Sequence, residues 1–336
     1  MEKRLRFLLP AAIAFLFVPL LMSAPLKGAE LLKARHLTAG GSSSVLARTG
    51  IAKGFFKQEG LDLEVLHVAT GQLTISAVQS GSADLGQSAY NNVVAAVSKG
   101  LPLVVVTIHN YGYMAKVLVS NKIQGAKSMA DLKGKSIAVQ VGTGVYTVWA
   151  RYLGSLGLSR NDFQIKNMRT TVIPSAFDSG SVDAAVVWEP FASTVVKKGA
   201  GRVMLEEKDI ADPIGVTYPF FVFTTKKEVQ EKPEVVQRFL NAWVRSMRFV
   251  TTQREETIDI MTKAFQREGQ SVDRESTREI IYSSMRYDRA KLNQKDIQDT
   301  MAMAQFLKED GVIDRIPKSE EFINTSFAEK AEKTVK

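Results

Sequence analysis

The sequence predicts two similar α/β lobes, each built on a parallel sheet, and three observations carry that expectation. A nonapeptide is written twice: Ser76 to Asp84 matches Ser175 to Asp183 at six of nine positions, 99 residues apart. The same order of elements surrounds both copies: strand, Gly/Ser/Thr loop, helix, strand, helix, strand. Three apolar runs, Leu101–Ile108, Val117–Val119 and Tyr218–Thr225, lie where the chain would pass between the halves.

Composition frames this reading. The 336 residues are 24% charged, 45% hydrophobic and 8% aromatic, which excludes a disordered or collagen-like chain. With no cysteine there is no disulfide framework, thiolate nucleophile or iron–sulfur cluster. Three histidines, His36, His67 and His109, are too few for a histidine-built metal site or triad, and no metal or cofactor is expected. The net charge is +9, and +6 without residues 1–29; the basic pairs Lys197-Lys198 and Lys226-Lys227 lack interleaved aromatics, so nucleic acid is not expected as a partner.

Taken in order, Glu2–Arg6 is a net-positive start, followed by an apolar run from Phe7 to Met22 and small residues up to Ala29. Residues 1–29 therefore read as a secretory signal peptide. Pro10 and Pro19 interrupt the run, whereas a membrane anchor, the alternative, needs about 20 apolar residues. The mature chain is expected to be an exported, soluble monomer. Next, a strand at His36–Ala39 enters Gly40-Gly41-Ser42-Ser43-Ser44, and a helix carries Val45, Thr49, Ala52, Phe55 and Phe56 on one face. In the second half the strand Ser136–Val141 enters Gly142-Thr143-Gly144, and a helix carries Val145, Val148, Trp149, Tyr152 and Leu156. Gly60 and Gly157 end these helices. Beyond Pro233 the chain reads as helical, with a stripe of Val235, Val236, Phe239, Trp243, Met247 and Val250; Asn293 caps a further helix through Leu307. The expected division is 30–119 with 214–336 as the first lobe, its C-terminal helices serving as cladding, and 120–213 as an inserted second lobe.

Ligands of parallel α/β sheets sit outside the carboxyl ends of the strands. That rule selects the loops at Gly40–Ser44, Gln87–Asn91, His109–Tyr111, Gly142–Tyr146 and Trp188–Glu189. Ser42, Ser43 and Ser44, and Thr143 with Gly144, stand at helix starts, where free N–H groups, hydroxyls and the helix dipole favour an anion. Each hydroxyl could equally be a simple N-cap. Gln87, Ser88 and Asn91 stand in the loop after the buried strand that begins Asp84-Leu85-Gly86, and His109 closes an apolar strand. Trp188 suits the apolar part of a ligand. Glu189 suits a ligand amine, an ion pair across the cleft, or the cap of a helix starting at Pro190. Tyr90, Tyr111, Tyr113, Tyr146 and Tyr218 are candidate aromatic walls. No HExxH, GxSxG, SxxK or paired-carboxylate motif is present, so no catalysis is expected.

Four segments carry a resemblance. Gly54-Phe55-Phe56 through Glu59-Gly60-Leu61-Asp62-Leu63-Glu64, then Gly81-Ser82-Ala83-Asp84-Leu85-Gly86, then Asp131-Leu132-Lys133-Gly134-Lys135, then Val182-Asp183-Ala184 through Trp188-Glu189-Pro190-Phe191 stand in that order. Together they resemble the periplasmic solute-binding proteins of the sulfonate, taurine, nitrate and thiamine-precursor (NMT1/THI5-like) superfamily. The resemblance implies a two-lobed, type II Venus-flytrap fold with the ligand between the lobes, at Ser42–Ser44, Gln87–Ser88, Thr143–Gly144 and Trp188–Glu189. It also implies a periplasmic protein that delivers its solute to an ABC permease and its ATPase. The segment Asp212–Phe221 holds no basic residue to pair with a sulfonate or nitrate, which leaves aromatic and pyrimidine-like solutes open. A thiamine-pyrimidine-precursor binding protein and a secreted enzyme are the alternatives.

Overall fold

The computed structural model describes residues 30–38, 41–68, 70–270 and 272–335. The signal-peptide reading of residues 1–29 and the first glycine of the Ser loop, Gly40, lie outside them. The strands are β1 Leu32–Thr38, β2 Leu61–His67, β3 Leu85–Ala89, β4 Leu103–Asn110, β5 Ala115–Ser120, β6 Ser136–Val139, β7 Gln164–Asn167, β8 Ala184–Trp188, β9 Gly201–Leu205 and β10 Phe220–Thr225. They form two five-stranded sheets, ordered β2-β1-β3-β10-β4 and β7-β6-β8-β5-β9.

The two orders are the same pattern. In each sheet, three strands pair in parallel and a fourth runs antiparallel to both its neighbours: β10 in the first, β5 in the second. The expected parallel sheets are thus mostly parallel, and the reversed strand in each is the one by which the chain arrives from the other half. The doubled nonapeptide has a mechanical reason. Its last residue, Asp84 or Asp183, accepts the amide of the neighbouring strand through its carboxylate (Arg35 at 2.8 Å, Ser136 at 2.9 Å). Its own amide donates back to that residue's carbonyl (3.0 and 3.1 Å). One residue thereby locks strand register in both sheets.

The expected boundary at 120 falls at the end of β5. Val117, Leu118 and Val119 pair with Val186, Ala185 and Ala184 of β8, in the second sheet. An apolar run reads alike in either sheet, so only strand pairing decides its side.

The helices are α1 Val45–Ala52, α2 Phe55–Gln58, α3 Gly71–Gln79, α4 Tyr90–Ser98, α5 Gly144–Ser155, α6 Ile173–Asp178, α7 Phe191–Lys197, α8 Glu207–Ala211 and α9 Lys226–Glu231. The C-terminal helices are α10 Pro233–Thr252, α11 Arg254–Arg267, α12 Arg274–Tyr282, α13 Gln294–Glu309 and α14 Ser326–Thr334. The single helix expected through Phe56 is broken into α1 and α2 at Gly54, whose φ of 72° lies in the left-handed region that glycine tolerates. The stripe Val235, Val236, Phe239, Trp243, Met247 and Val250 of α10 is buried against the first sheet. Trp243 also donates its indole N–H to the Ile108 carbonyl at 3.2 Å, so truncating it to Ala should cost roughly 3–5 kcal/mol. A second cluster joins the sheets to α4, α5 and α13 through Val93, Val94, Val148, Trp149, Met303 and Leu307. Asn293 caps α13 as expected, accepting from the Asp296 amide at 3.0 Å. No helix among the described residues is long and apolar enough to cross a membrane.

Candidate functional site

Both sheets send the carboxyl ends of parallel strands toward one cavity of about 290 Å³. Two helix starts on its wall share one local design. Thr70 caps α3, its hydroxyl accepting from the Leu73 amide at 3.4 Å; Thr143 caps α5, accepting from the Tyr146 amide at 3.2 Å. In each case a glycine follows the cap, and the N–H groups of Gly71 and Gln72, and of Gly144 and Val145, have no partner within their helices. All four of these residues line the cavity. Glycine is needed at both places: a Cβ on Gly71 would strike the Ser88 hydroxyl, and one on Gly144 would meet Asn91 Oδ1 at 2.7 Å and the Ala89 Cβ at 2.9 Å.

Ser42, Ser43, Ser88, Thr143, Gly144 and Trp188, all expected at the site, stand on this wall. Ser44, Gln87, Asn91, His109 and Glu189 do not. Ser44 is buried, and its hydroxyl donates to the Gly41 carbonyl at 2.8 Å, closing the Ser turn. Gln87 sits behind that turn: His36 Nε2 donates to its Oε1 at 3.1 Å, and its Nε2 donates to the Ser43 carbonyl at 2.7 Å. Burial pushes His36 down to about 4, so the relay is neutral at pH 7. Asn91 lies where α4 meets α5, donating to Asn92 Oδ1 at 3.1 Å and to the Thr147 hydroxyl at 3.5 Å.

Glu189 takes the capping role among those open to it. It accepts from the Ser193 amide at 3.0 Å in α7 and pairs with Lys116 of β5 at 3.4 Å, so its charge is spent within the second sheet and its helix. His109 is fully buried and points to the rings of Trp243 and Tyr287, at 5.7 and 5.5 Å. Burial pushes it down to about 3. Successive strand residues face opposite sides, so it is the next residue, Asn110, that reaches the cavity wall. Of the candidate tyrosines only Tyr218 lines it; Tyr90 and Tyr113 are buried against Tyr218, Tyr111 bonds Asp288, and Tyr146 bonds Arg160.

Sequence reasoning does not point to Thr70, Gly71, Gln72, Asn92, Met114, Gln140, Phe220 or Met285, and it reaches Asn110 only as a member of the His109–Tyr111 loop, from which it chose the histidine. The Thr70-Gly71 step was visible, since it repeats Thr143-Gly144. Met114, Phe220 and Met285 carry no local signal and are assembled by the fold. Among the described residues the wall holds no Lys, Arg, Asp or Glu. Attraction for an anion would come from helix starts and neutral donors, and the aromatic and thioether groups of Trp188, Phe220, Met114 and Met285 offer an apolar surface.

A family profile described as "NMT1/THI5 like" matches residues 47–257. A Brucella abortus (strain 2308) protein bearing a binding-protein name is 30% identical over 211 residues, 63% of this chain and 64% of that protein. The match thus spans less than two thirds of that relative's length. The taurine-binding periplasmic protein of Escherichia coli (strain K12) is 27% identical over 187 residues, 55% of this chain and 56% of that one. The crystal structure of the periplasmic aliphatic sulphonate binding protein of Escherichia coli superposes with a TM-score of 0.72 at 19% identity, covering 88% of this chain and 92% of that one. That likeness establishes the fold: two lobes, each a mostly parallel sheet flanked by helices, as in periplasmic binding proteins.

Proposed function

Because the chain belongs to the NMT1/THI5-like family, we propose that it is the substrate-binding component of an ABC importer. It captures a small organic solute between the lobes and delivers it to a membrane permease driven by a separate ATPase. The observation that carries this reading is the cavity, where helix starts from both halves converge on a wall with no charged side chain among the described residues. On this reading the protein works in the periplasm as a soluble monomer, and it binds without catalysing.

The polar or anionic end of the solute sits at the N–H groups of Gly71, Gln72, Gly144 and Val145, with the Ser42 and Ser43 hydroxyls. Its organic part lies against Trp188. Each helix start contributes roughly 0.3–1 kcal/mol, rising to about 2 when partly buried. Charge-assisted hydrogen bonds add roughly 1.5–3 kcal/mol apiece. Sulfonates suit this arrangement, and the binding names of the relatives support them. The lack of a cationic side chain among the described wall residues supports a second reading, in which the solute is aromatic or pyrimidine-like.

The test is a thermal-shift screen of purified protein against taurine, small alkane- and arenesulfonates, sulfate esters, nitrate, aromatic carboxylates and pyrimidines. A ligand at 100 times its Kd adds about 2.7 kcal/mol, so one class is expected to raise Tm by several degrees. Silence across the whole panel, with turnover of an ester, phosphoester or amide probe, would replace this reading with a hydrolase.

A further inference from the structure

Resting on the solute-binding reading above, we propose that Asn110 determines specificity: its side-chain amide is a donor kept for a hydrogen-bond acceptor on the organic part of the solute, and His109 is the positioning residue that orients it. Asn110 ends β4, is 2% exposed and stands on the cavity wall. His109 Nδ1 donates to its Oδ1 at 2.7 Å, which engages the oxygen and sets the amide's orientation. The other end, Nδ2, is buried with no partner. Its surroundings offer little: Phe220 lies opposite in the β10 register, and Met114 and Met285 share the wall.

His109 is held for this task on every side. Its ring is fully buried among Trp243, Tyr287 and Phe220, with centroids at 5.7, 5.5 and 6.4 Å. The ring is neutral, with its proton on Nδ1 for Asn110; Nε2, which has no partner, is then a bare lone pair rather than a stranded N–H. A buried N–H without an acceptor is costly, so nearly all such groups are satisfied in folded proteins. Here the solute supplies the acceptor. The solute class is therefore two-ended: an acidic or acceptor-rich head for the helix starts, and a carbonyl, carboxylate or ring nitrogen on the organic part. A plain alkyl or phenyl group leaves the amide unmet and is bound less tightly.

The experiment is titration calorimetry with compounds differing only in that acceptor: pyridine-3- and pyridine-4-sulfonate against benzenesulfonate, and nicotinate against benzoate. The wild-type protein is expected to prefer an acceptor-bearing compound by about tenfold or more. Asn110→Leu removes the amide donor and should erase the preference, bringing the two members of each pair within about twofold of each other. If leucine does not fold at this buried strand end, judged by circular dichroism, Asn110→Ala, which likewise has no side-chain donor, carries the same expectation. His109→Leu should shrink the preference, and His109→Gln, which still offers an N–H to Oδ1, should restore it. A purely structural histidine would shift both members of each pair alike.

A wild-type preference within twofold, or one that survives Asn110→Leu, overturns the proposal while the solute-binding reading stands. Binding of none of these compounds, while another solute of the thermal-shift panel binds, likewise overturns the proposal and leaves the solute-binding reading standing.

Discussion

The Thr143 hydroxyl donates its only proton to the Gln140 carbonyl at 2.8 Å while accepting from the Tyr146 amide, so it holds the start of α5 instead of offering a proton to the solute. Thr143→Ala is expected to cost about 1 kcal/mol of stability. It should also weaken binding about tenfold by loosening the Gly144 and Val145 amides. Thr143→Ser, which keeps the cap, should bind nearly as wild type, and calorimetry on whichever compound the thermal screen identifies decides it. Trp188→Ala should weaken binding more for a bulky organic group than for a small one. Melting temperatures that fall for both alanine variants with affinities unchanged would reduce these residues to cap and core. The buried histidines set a pH dependence. Burial holds His36 near 4 and His109 near 3, below an unfolded value near 6.5. The unfolded chain therefore binds more protons between those values, and stability is full above about pH 6.5 and lost as pH falls toward 4. His36 alone carries on the order of 3 kcal/mol of this. Thermal melts from pH 7.5 to 4 should fall less steeply for His36→Asn than for wild type.

At the scale of elements, α13 departs most from its expected role as cladding of the first lobe. Its Asp299 pairs with Arg151 of α5 at 3.0 Å and accepts the amides of Thr217 and Tyr218 at 2.9 and 3.1 Å. The carboxylate thus ties a helix of the second sheet to the segment by which the chain returns to β10. Tyr218 takes a φ of 50°, uncommon for a residue with a Cβ, and this network holds it there. Asp299→Ala leaves the Thr217 and Tyr218 amides without their acceptor and takes the carboxylate from the half-buried Arg151, which keeps only the Ile214 carbonyl. It is expected to cost roughly 3 kcal/mol in urea unfolding. Asp299→Asn, which still accepts, should cost less. Equal loss in the two variants would mean that charge alone matters here. The caps at Thr143 and Asn293 and the turn at Gly60 were legible, because each depends on residues within one turn of chain. The role of α13 was not, since Asp299 and Arg151 lie far apart in sequence.

For the whole molecule, the chain passes between the sheets at residues 111–114 and again at 206–219, while the candidate site draws wall residues from both halves. Short crossings beside a shared cavity favour closure of the lobes as near-rigid bodies. Small-angle scattering should show a smaller radius of gyration once a solute from the thermal screen saturates the protein. An unchanged radius at saturation would leave the lobes static.

By itself the sequence determined that this protein is a pair of α/β halves with helix starts beside Gly turns. Those features follow from short-range periodicity, from caps and from the doubled Ser-Gly-Ser-x-Asp register lock. It also carried the four segments that place the chain in its family. Tertiary structure alone decided which sheet receives β5, because an apolar run can pair equally well on either side. It decided that Glu189 spends its charge on Lys116 and that Ser44 and Gln87 stand behind the wall, since burial depends on what packs from elsewhere. And it decided between His109 and Asn110: neighbouring strand residues point to opposite faces, and only the packing of α10 on one of them settles which residue meets the cavity.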